Sequence, residues 1–420
     1  MTASRAPEAS PRPFTDALRR GPFRRLLVGQ AISSLGDAVG TFALIARAYD
    51  LTGSPTAVGG VLVLRLGPPL LAAPLGGILA DRVDRRVVLA ATNVAMGGLI
   101  VLAPFVNLAV LFVLAFTSEA LLILSVPSRD ATVPDLVPAG SLAQANGIIM
   151  ASSFGLLPVG AAAFAGLRLA ADQAGGFLQQ HPLFLPFLLD AITFLIAAAL
   201  FAILPRAGRA AERSPGVFAD LAGGWREARR NPAIRSLAIG VAVAMFGGGV
   251  LFALGIGFVR QTLGAGDVEF GLLASLWGVG MALGLGLVRF LVHEAGSEPM
   301  AFRSAVSACG VSLIGMAVVP VTWLAFLVAV VFGMAFSMAV MLALAIVQRE
   351  AGEAVRGRVL GGAQLLFRLS LALGALGIGG LAALADRLEV GPVALDGNRF
   401  GLLVGGALIL LGSLATRPRS

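Results

Sequence analysis

Five ionisable residues lie inside long apolar stretches of this sequence: Asp37, Arg65, Glu119, Asp190 and Arg368. If these stretches cross a membrane, each charge near the bilayer centre costs roughly 2.5–3.5 kcal/mol and should face the protein interior. Desolvation favours the protonated form of a carboxyl, whereas a neighbouring Arg favours the charged form. A carboxyl that alternates between these two environments can bind and release a proton.

Asp37 and Glu119 are the two acids near the middle of the first few apolar stretches. We expect Asp37 to be the principal proton-coupling site and Arg65 to be its switching partner. Glu119 is expected to act as a second acid or as a group that recognises a cationic solute. The alternative is a permanent structural ion pair between Asp37 and Arg65.

Other kinds of site chemistry are poorly supplied. The chain has one cysteine, Cys309, and two histidines, and all 31 of its basic residues are Arg. These counts exclude an intrachain disulfide and a Schiff-base lysine, and they provide too few soft ligands for a thiolate metal cluster. Neither a nucleotide-binding loop nor a Ser, His or Cys constellation is present. We therefore predict no cofactor, no metal site and no enzymatic activity.

The composition is that of a polytopic membrane protein. Of 420 residues, 57% are hydrophobic and 13% are charged, and the mean hydropathy is +0.90. Soluble domains carry about 25% charged residues. The net charge of +8 is spread over short loops rather than gathered on one face, so we do not expect nucleic acid as a partner. The expected environment is a lipid bilayer.

Twelve apolar runs are long enough for membrane-spanning helices, which need roughly 20 residues each. The sequence thus predicts an all-α membrane protein. The predicted spans are 25–47, 56–80, 87–105, 108–127, 143–168, 183–204, 234–259, 270–291, 302–319, 323–346, 359–384 and 400–415.

The arginines indicate the orientation of these spans. An even number of spans places both termini on one side, and 24 Arg residues then fall on that side against three on the other. By the positive-inside rule, both termini are predicted to be cytoplasmic. The expected location is the plasma (inner) membrane of a bacterium, as a multi-pass protein.

A charged turn separates the second and third predicted spans. It contains Gly77, Asp81, Arg82, Arg85 and Arg86, together with Leu79 and Ala80. Its spacing resembles the signature loop of the major facilitator superfamily, G-x-L-A-D-R-x-G-R-R, with Asp84 in place of the second Gly. The resemblance implies a gate latch in which Asp81 lies at the start of span eleven, and Arg82 and Arg85 pair with acids of neighbouring helices. The alternative is that these arginines only set the topology.

The superfamily resemblance also implies the domain organisation, which is two six-helix bundles. Residues 25–204 would form the first bundle and 234–415 the second, after a cytoplasmic N-terminal segment 1–24 and before a tail at 416–420. The polar segment 205–233 would be a cytoplasmic linker with an amphipathic helix on the membrane surface. The alternative is a plain solvated linker.

Further motifs resemble the macrolide-efflux and siderophore-export branch of this superfamily. They include Phe23 to Asp37 in span one, Pro127 to Asn146 after span four, Asp190 with Thr193 in span six, and Gln348 to Val359 before span eleven. The resemblance implies a proton-coupled antiporter of the multidrug-resistance type that exports a hydrophobic or amphipathic small molecule by alternating access. One departure is span five, where Leu157 to Ala162 replace the G-P-x-x-G-G element of many exporters.

Polar, aromatic and Met side chains in the middle of several spans are candidates for lining a central substrate cavity. Met and aromatic groups suit an adaptable binding surface, although on helices they also serve ordinary packing. The candidates are Gln144, Asn146, Phe154, Met245, Phe246, Trp277, Met338, Gln364 and Arg368.

Two other functions stay open. An importer of a nutrient or metabolite is possible on the same fold, and a membrane sensor without transport is a third reading. The sensor is disfavoured because the only sizeable cytoplasmic region is the linker of roughly 30 residues. We expect the protein to be a monomer.

Overall fold

The architecture was analysed in a computed structural model of the chain. It describes residues 21–66, 68, 79, 82–206, 231–291, 298–350, 353–388 and 396–416. Over these residues the chain is helical, with no strand. Eleven of the described helices are long and apolar enough to cross a membrane. The predicted second span is described only over Pro55–Leu66, Pro68 and Leu79.

The first half of the chain forms six helical elements. They are α1 (Gly21–Thr52), α2 (Pro55–Leu66), α3 (Arg85–Ile100), α4 (Leu108–Leu136), α5 (Leu142–Phe154 and Leu157–Ala174) and α6 (Phe184–Ala202). α5 has two segments, with Pro158 near the start of the second. Within this half, α1 packs on α5 and α6, and α3 packs on α4 and α6.

The second half also forms six elements. They are α7 (Pro232–Gly257), α8 (Asp267–Leu291), α9 (Glu298–Val318), α10 (Thr322–Glu350), α11 (Glu353–Leu373, continued by Gly379–Leu388) and α12 (Gly397–Leu414). One π-helical turn, Phe258–Thr262, follows α7, and another, Gly374–Ile378, lies within α11. Within this half, α8 packs on α10, α9 packs on α10 and α12, and α7 packs on α11 and α12.

The two halves meet mainly through α5 with α8, and through α2 with α7 and α11. Small residues allow these contacts. A Cβ atom at Gly278 of α8 would lie 2.0 Å from Pro158 of α5, and one at Gly59 of α2 would lie 2.7 Å from the carbonyl oxygen of Ala375 in α11. Membrane helices approach closely where such side chains are missing. The helix pairs between the halves are therefore closely packed at these glycines.

The α8–α10 pair has the same character within one half. A Cβ atom at Gly280 would lie 2.1 Å from the carbonyl oxygen of Val330, and one at Gly333 would lie 2.0 Å from that of Trp277. These neighbours are backbone atoms, which cannot rotate away as a flexible side chain can. Glycine at these positions is thus a requirement of the packing.

The predicted end of span four is wrong. The charged residues Arg129 and Asp130 suggested a loop after residue 127, but α4 continues through them and through Pro134 to Leu136. The Thr132 hydroxyl donates to the carbonyl oxygen of Ser128, at 2.7 Å. Neighbouring helices and Ser or Thr side chains compensate for proline inside a membrane helix. Other spans differ from prediction chiefly by polar extensions of a few residues at their ends.

Most of the predicted linker, and the residues Gly77 and Asp81 of the charged turn, lie outside the described residues. The domain boundaries proposed from the sequence therefore stay predictions.

Candidate functional site

Arg65 is the centre of a charged cluster in the first half. Its Nη2 atom lies 2.7 Å from Oδ1 of Asp37, and its Nε atom lies 3.2 Å from Oε2 of Glu119. A third nitrogen, Nη1, donates to the hydroxyl of Thr41. One planar guanidinium therefore joins α1, α2 and α4, using donors whose fixed fork suits several acceptors at once. The three residues predicted for proton coupling are in direct contact.

The three cluster members differ in their access to solvent. The side chain of Asp37 is 37% exposed, that of Arg65 15% and that of Glu119 9%. The most exposed carboxyl of the cluster is thus paired with a cation that is itself mostly buried.

The positions of these groups follow from the helices that carry them. Asp37 and Thr41 are one turn apart on α1, so both face the same neighbour, and the Thr41 hydroxyl donates to the Asp37 carbonyl oxygen at 2.7 Å. Arg65 lies on α2, and Glu119 lies in the interior of α4. Contacts of α2 with both α1 and α4 bring the guanidinium between the acids.

Glu119 also faces the second half of the chain. Its Oε1 atom lies 3.8 Å from Nη1 of Arg368 on α11. Glu119 is thus shared between a cation of its own half and a cation of the opposite half. The sequence predicted Arg368 as a cavity residue. In the structure it also lies beside the cluster formed by Asp37, Arg65 and Glu119, which we call the coupling cluster after its predicted role.

The charged turn is described over its last residues. Arg85 is buried and its Nη1 atom donates to Asp135 of α4 at 2.9 Å and to the carbonyl oxygen of Ala131. Asp84, which interrupts the superfamily pattern, is the N-cap of α3 and accepts from the backbone N–H of Arg86. An Asp at this position satisfies an otherwise free N–H of the first turn. The expected pairing of an arginine with a neighbouring helix is thus present at Arg85.

Arg86 pairs with Asp84 inside the turn, at 2.9 Å, rather than with another helix. Arg82 is exposed and has no ion pair with the described residues. Its predicted role in a latch therefore stays a prediction.

A second charged network, which was not predicted from the sequence, joins the halves at the end remote from Gly21 of α1 and Leu414 of α12. This end is called the remote end below. We name it the Asp267 network, formed by Asp50 of α1, Arg168 of α5, Arg260 and Asp267. Oδ2 of Asp267 accepts from Arg168 at 2.7 Å, and Oδ1 accepts from Nε of Arg260 at 2.7 Å. Nη1 of Arg260 lies 2.6 Å from Oδ1 of Asp50. The sequence signal was a set of charges at the ends of four spans, which are usually taken as interfacial.

A layer of aromatic rings lies between the two charged clusters along α1. Phe42 is almost fully buried and contacts rings of the second half, with centroid distances of 6.4 Å to Phe252 and 5.9 Å to Phe270. Phe164 of α5 is 6.3 Å from Phe270. At 1.5 Å per residue, Phe42 lies about 7.5 Å along the helix from Asp37 and about 12 Å from Asp50. Two layers, one aromatic and one ionic, therefore close this end.

The remaining cavity candidates are spread over several environments. Trp277 is buried among Phe252, Phe332 and Phe336, in a packing position. Asn146 is exposed, whereas Met245, Phe246 and Met338 are half-buried.

The Oε1 atom of Gln144 is buried without a hydrogen-bond partner among the described residues. The side chains of Phe154 and Gln364 lie outside the described part. The cavity assignment stays a prediction.

A family model described as Major Facilitator Superfamily matches residues 26–375. Among curated proteins, the uncharacterized MFS-type transporter YfiS of Bacillus subtilis (strain 168) is 27% identical over 186 residues. That match spans 43% of this chain and 42% of the length of YfiS.

Solved transporter structures share the fold. The nucleoside transporter NupG aligns with a TM-score of 0.73 and 14% identity, over 94% of this chain and 98% of NupG. A bacterial homolog of the human lysosomal transporter Spinster, in an inward-facing and occupied conformation, aligns with a TM-score of 0.72 and 15% identity, over 94% and 95% of the two chains. Similarity at this level of identity concerns the fold alone.

Proposed function

Because this chain belongs to the major facilitator superfamily of membrane transporters, we propose that it exports a hydrophobic or amphipathic small molecule in exchange for protons. The observation that carries the proposal is the bridging of Asp37 and Glu119 by one guanidinium, that of Arg65. The motifs that resemble macrolide and siderophore exporters support the direction of transport. We further propose a monomer in the inner membrane of a bacterium.

The coupling step begins at Asp37. When its carboxylate is charged, it holds Arg65 through the 2.7 Å ion pair. A proton on Asp37 removes that charge, and the guanidinium is then held chiefly by Glu119. Protonation of Asp37 also lowers the free-energy cost of a dry, occluded state, because a neutral carboxyl costs far less to desolvate than a charged one.

Glu119 passes this change to the other half of the chain. While Asp37 is charged, Glu119 competes with it for Arg65 and is free to attract Arg368 of α11 across a distance of 3.8 Å. When Arg65 turns fully toward Glu119, the attraction on Arg368 weakens. Protonation at α1 is thereby converted into a weaker contact between the halves.

Alternating access requires that the two ends of the molecule open in turn. In the conformation described here, the remote end is held by the Asp267 network and by the aromatic layer around Phe42. With both termini in the cytoplasm, as proposed, this end is the outer one. The charged turn would stabilise closure of the opposite end in the other state.

The test uses inside-out vesicles with an imposed pH gradient. Ethidium, a macrolide and a catecholate siderophore serve as probes, with concurrent measurement of proton release. We expect gradient-driven accumulation of at least one probe by the wild type and its loss in Asp37→Asn, which mimics a permanently protonated carboxyl. The matched control is Asp130→Asn, because the Asp130 side chain is 59% exposed and its ion pair among the described residues is with the adjacent Arg129.

Normal transport by a folded, inserted Asp37→Asn variant would remove Asp37 from the mechanism. It would leave the ion pair with Arg65 as a structural feature. Accumulation in right-side-out rather than inside-out vesicles would instead assign the protein as an importer.

A further inference from the structure

Asp190 of α6 is a buried acid that the coupling cluster does not use. The residue is 2% exposed, and its Oδ1 atom has no hydrogen-bond partner among the described residues. Within that part of the chain its carboxyl makes no ion pair, whereas Asp37 and Glu119 both contact Arg65. A buried carboxyl without a partner requires a physical explanation, because charged groups in protein interiors are normally paired.

The carboxyl group packs directly on α1. A Cβ atom at Gly40 would lie 1.9 Å from Oδ2 of Asp190, and one at Gly36 would lie 2.9 Å from Oδ1. The two glycines are one turn apart on the same face of α1, so they leave a recess that the Asp190 carboxyl fills. The contact excludes water from the carboxyl as long as α1 and α6 remain in this position.

Among the residues that the structure describes, none offers Asp190 a counter-ion at contact distance. The charge of Asp37 on α1 is repulsive, and Arg65 on α2 already serves two carboxylates. On α3, the only charged residues are the arginines of its first turn. The charged residues of the second α5 segment are Arg168, held by the Asp267 network, and Asp172, paired with Arg168.

A carboxylate in this recess would lose its hydration without gaining an ion pair. Addition of one proton converts it to a neutral carboxylic acid, which costs much less to bury. The proton comes from water when the recess is open, and no other group is needed for the step. The geometry therefore requires the protonated form while α1 covers Asp190.

We propose that Asp190 is a proton-binding site of this chain, filled while α1 packs on α6 as it does here and emptied when α1 moves away. Proton binding at Asp190 stands on geometry alone. Its place in the transport cycle rests on the proposed function, since it requires that α1 moves during transport.

Asp37 lies between Gly36 and Gly40 in the sequence of α1, so one movement of this helix acts on both acids. Separation of Asp37 from Arg65 and exposure of the Asp190 recess are then coupled through the backbone of α1. Each transport cycle would carry a proton on Asp190 in addition to the one on Asp37. Without Asp190, we expect about half as many protons per molecule of probe transported.

The direct test is infrared spectroscopy of the purified protein at neutral pH. The C=O stretch of a protonated carboxyl is separate from the carboxylate bands, and it requires no transport assay. We expect this band in the wild type and its loss in Asp190→Asn, which keeps the shape of the neutral acid. Asp172→Asn, in an exposed part of α5, is the matched control and should keep the band.

A band that persists unchanged in Asp190→Asn would overturn the proposal. If that variant does not fold, Glu119→Gln gives the answer, because Asp37 still holds Arg65 there and Asp190 keeps its surroundings. The band should be retained there, and its absence would again overturn the proposal. Lack of proton-driven flux in the wild type would refute the proposed function while leaving this measurement unaffected.

Discussion

Neutralising Asp267 should open the remote end of the molecule. This carboxylate accepts from Arg168 and Arg260 at 2.7 Å each, and its side chain is 4% exposed. Arg168 lies on α5 of the first half, whereas Arg260 and Asp267 belong to the second half. Substitution of Asp267 by Asn keeps the volume and one acceptor oxygen but removes the charge that both guanidinium groups share.

The size of the effect follows from the burial of the partners. Removing one member of a buried ion pair costs about 3–5 kcal/mol. Here the cost should be lower, about 2–3 kcal/mol, because Asp50 still contacts Arg260 and Asp172 still lies 3.5 Å from Arg168. In the open state water hydrates both arginines, so the penalty applies only to the closed state. The equilibrium between them should shift toward open by about 30- to 150-fold.

The assay is a distance measurement between the halves by pulsed electron paramagnetic resonance. Spin labels at Gln173→Cys, an exposed position at the end of α5, and Val321→Cys, exposed before α10, report on the remote end. The native Cys309 is fully buried and is replaced by Ala to prevent stray labelling. We expect a population with a longer distance to appear or grow in the Asp267→Asn variant.

Asp172→Asn provides the matched control, since it is the same substitution at another partner of Arg168, with a side chain that is 52% exposed. Exposed pairs of this kind contribute less than about 1 kcal/mol, so the distance distribution should hardly change. An unchanged distribution in Asp267→Asn would refute the conclusion that this network holds the halves together. Equal shifts in both variants would point to a general effect of net charge instead.

Two further predictions concern the helix packing and the coupling cluster. Gly280→Ala should lower the melting temperature in detergent, at a cost of about 1–3 kcal/mol, because its Cβ would meet the Val330 carbonyl oxygen at 2.1 Å. Gly286→Ala on the same helix, with nothing within 4 Å of the added Cβ, should be neutral or slightly stabilising, and equal losses in both variants would contradict the packing argument. Arg65→Lys should abolish proton-driven transport of the probes despite its retained charge, since an ammonium group cannot hold both carboxylates as a planar fork does. Wild-type transport by this variant in the vesicle assay would show that bridging is not required.

Local patterns in the sequence were sufficient for the type and number of the helices. Apolar runs of membrane length are a one-dimensional property, and most predicted spans agree with the described helices apart from their ends. The largest error, at the end of span four, arose because α4 continues through Arg129 and Asp130. Charge was taken as the boundary of the helix, but it marks the boundary of the apolar environment.

The acids and bases of the coupling cluster were also recognisable from the sequence. Asp37, Arg65 and Glu119 attract attention because each is expensive in an apolar stretch, and the structure brings all three into contact. What the sequence left open was their pairing. Arg65 bridges both acids, and Arg368 reaches Glu119 from the other half, because of how α2, α4 and α11 lie around α1.

The amino-acid sequence by itself determined that this chain is a helical membrane protein with a few buried charges, since hydropathy and the cost of burying a charge depend on residue type and local spacing. Only the tertiary structure decided which charges meet. Asp50, Arg168 and Asp267 are far apart in the chain and look interfacial one by one. Asp190 appears as an ordinary isolated acid until Gly36 and Gly40 of another helix are placed against it. Contacts between distant segments depend on how helices cross, and that information is absent from any single stretch of sequence.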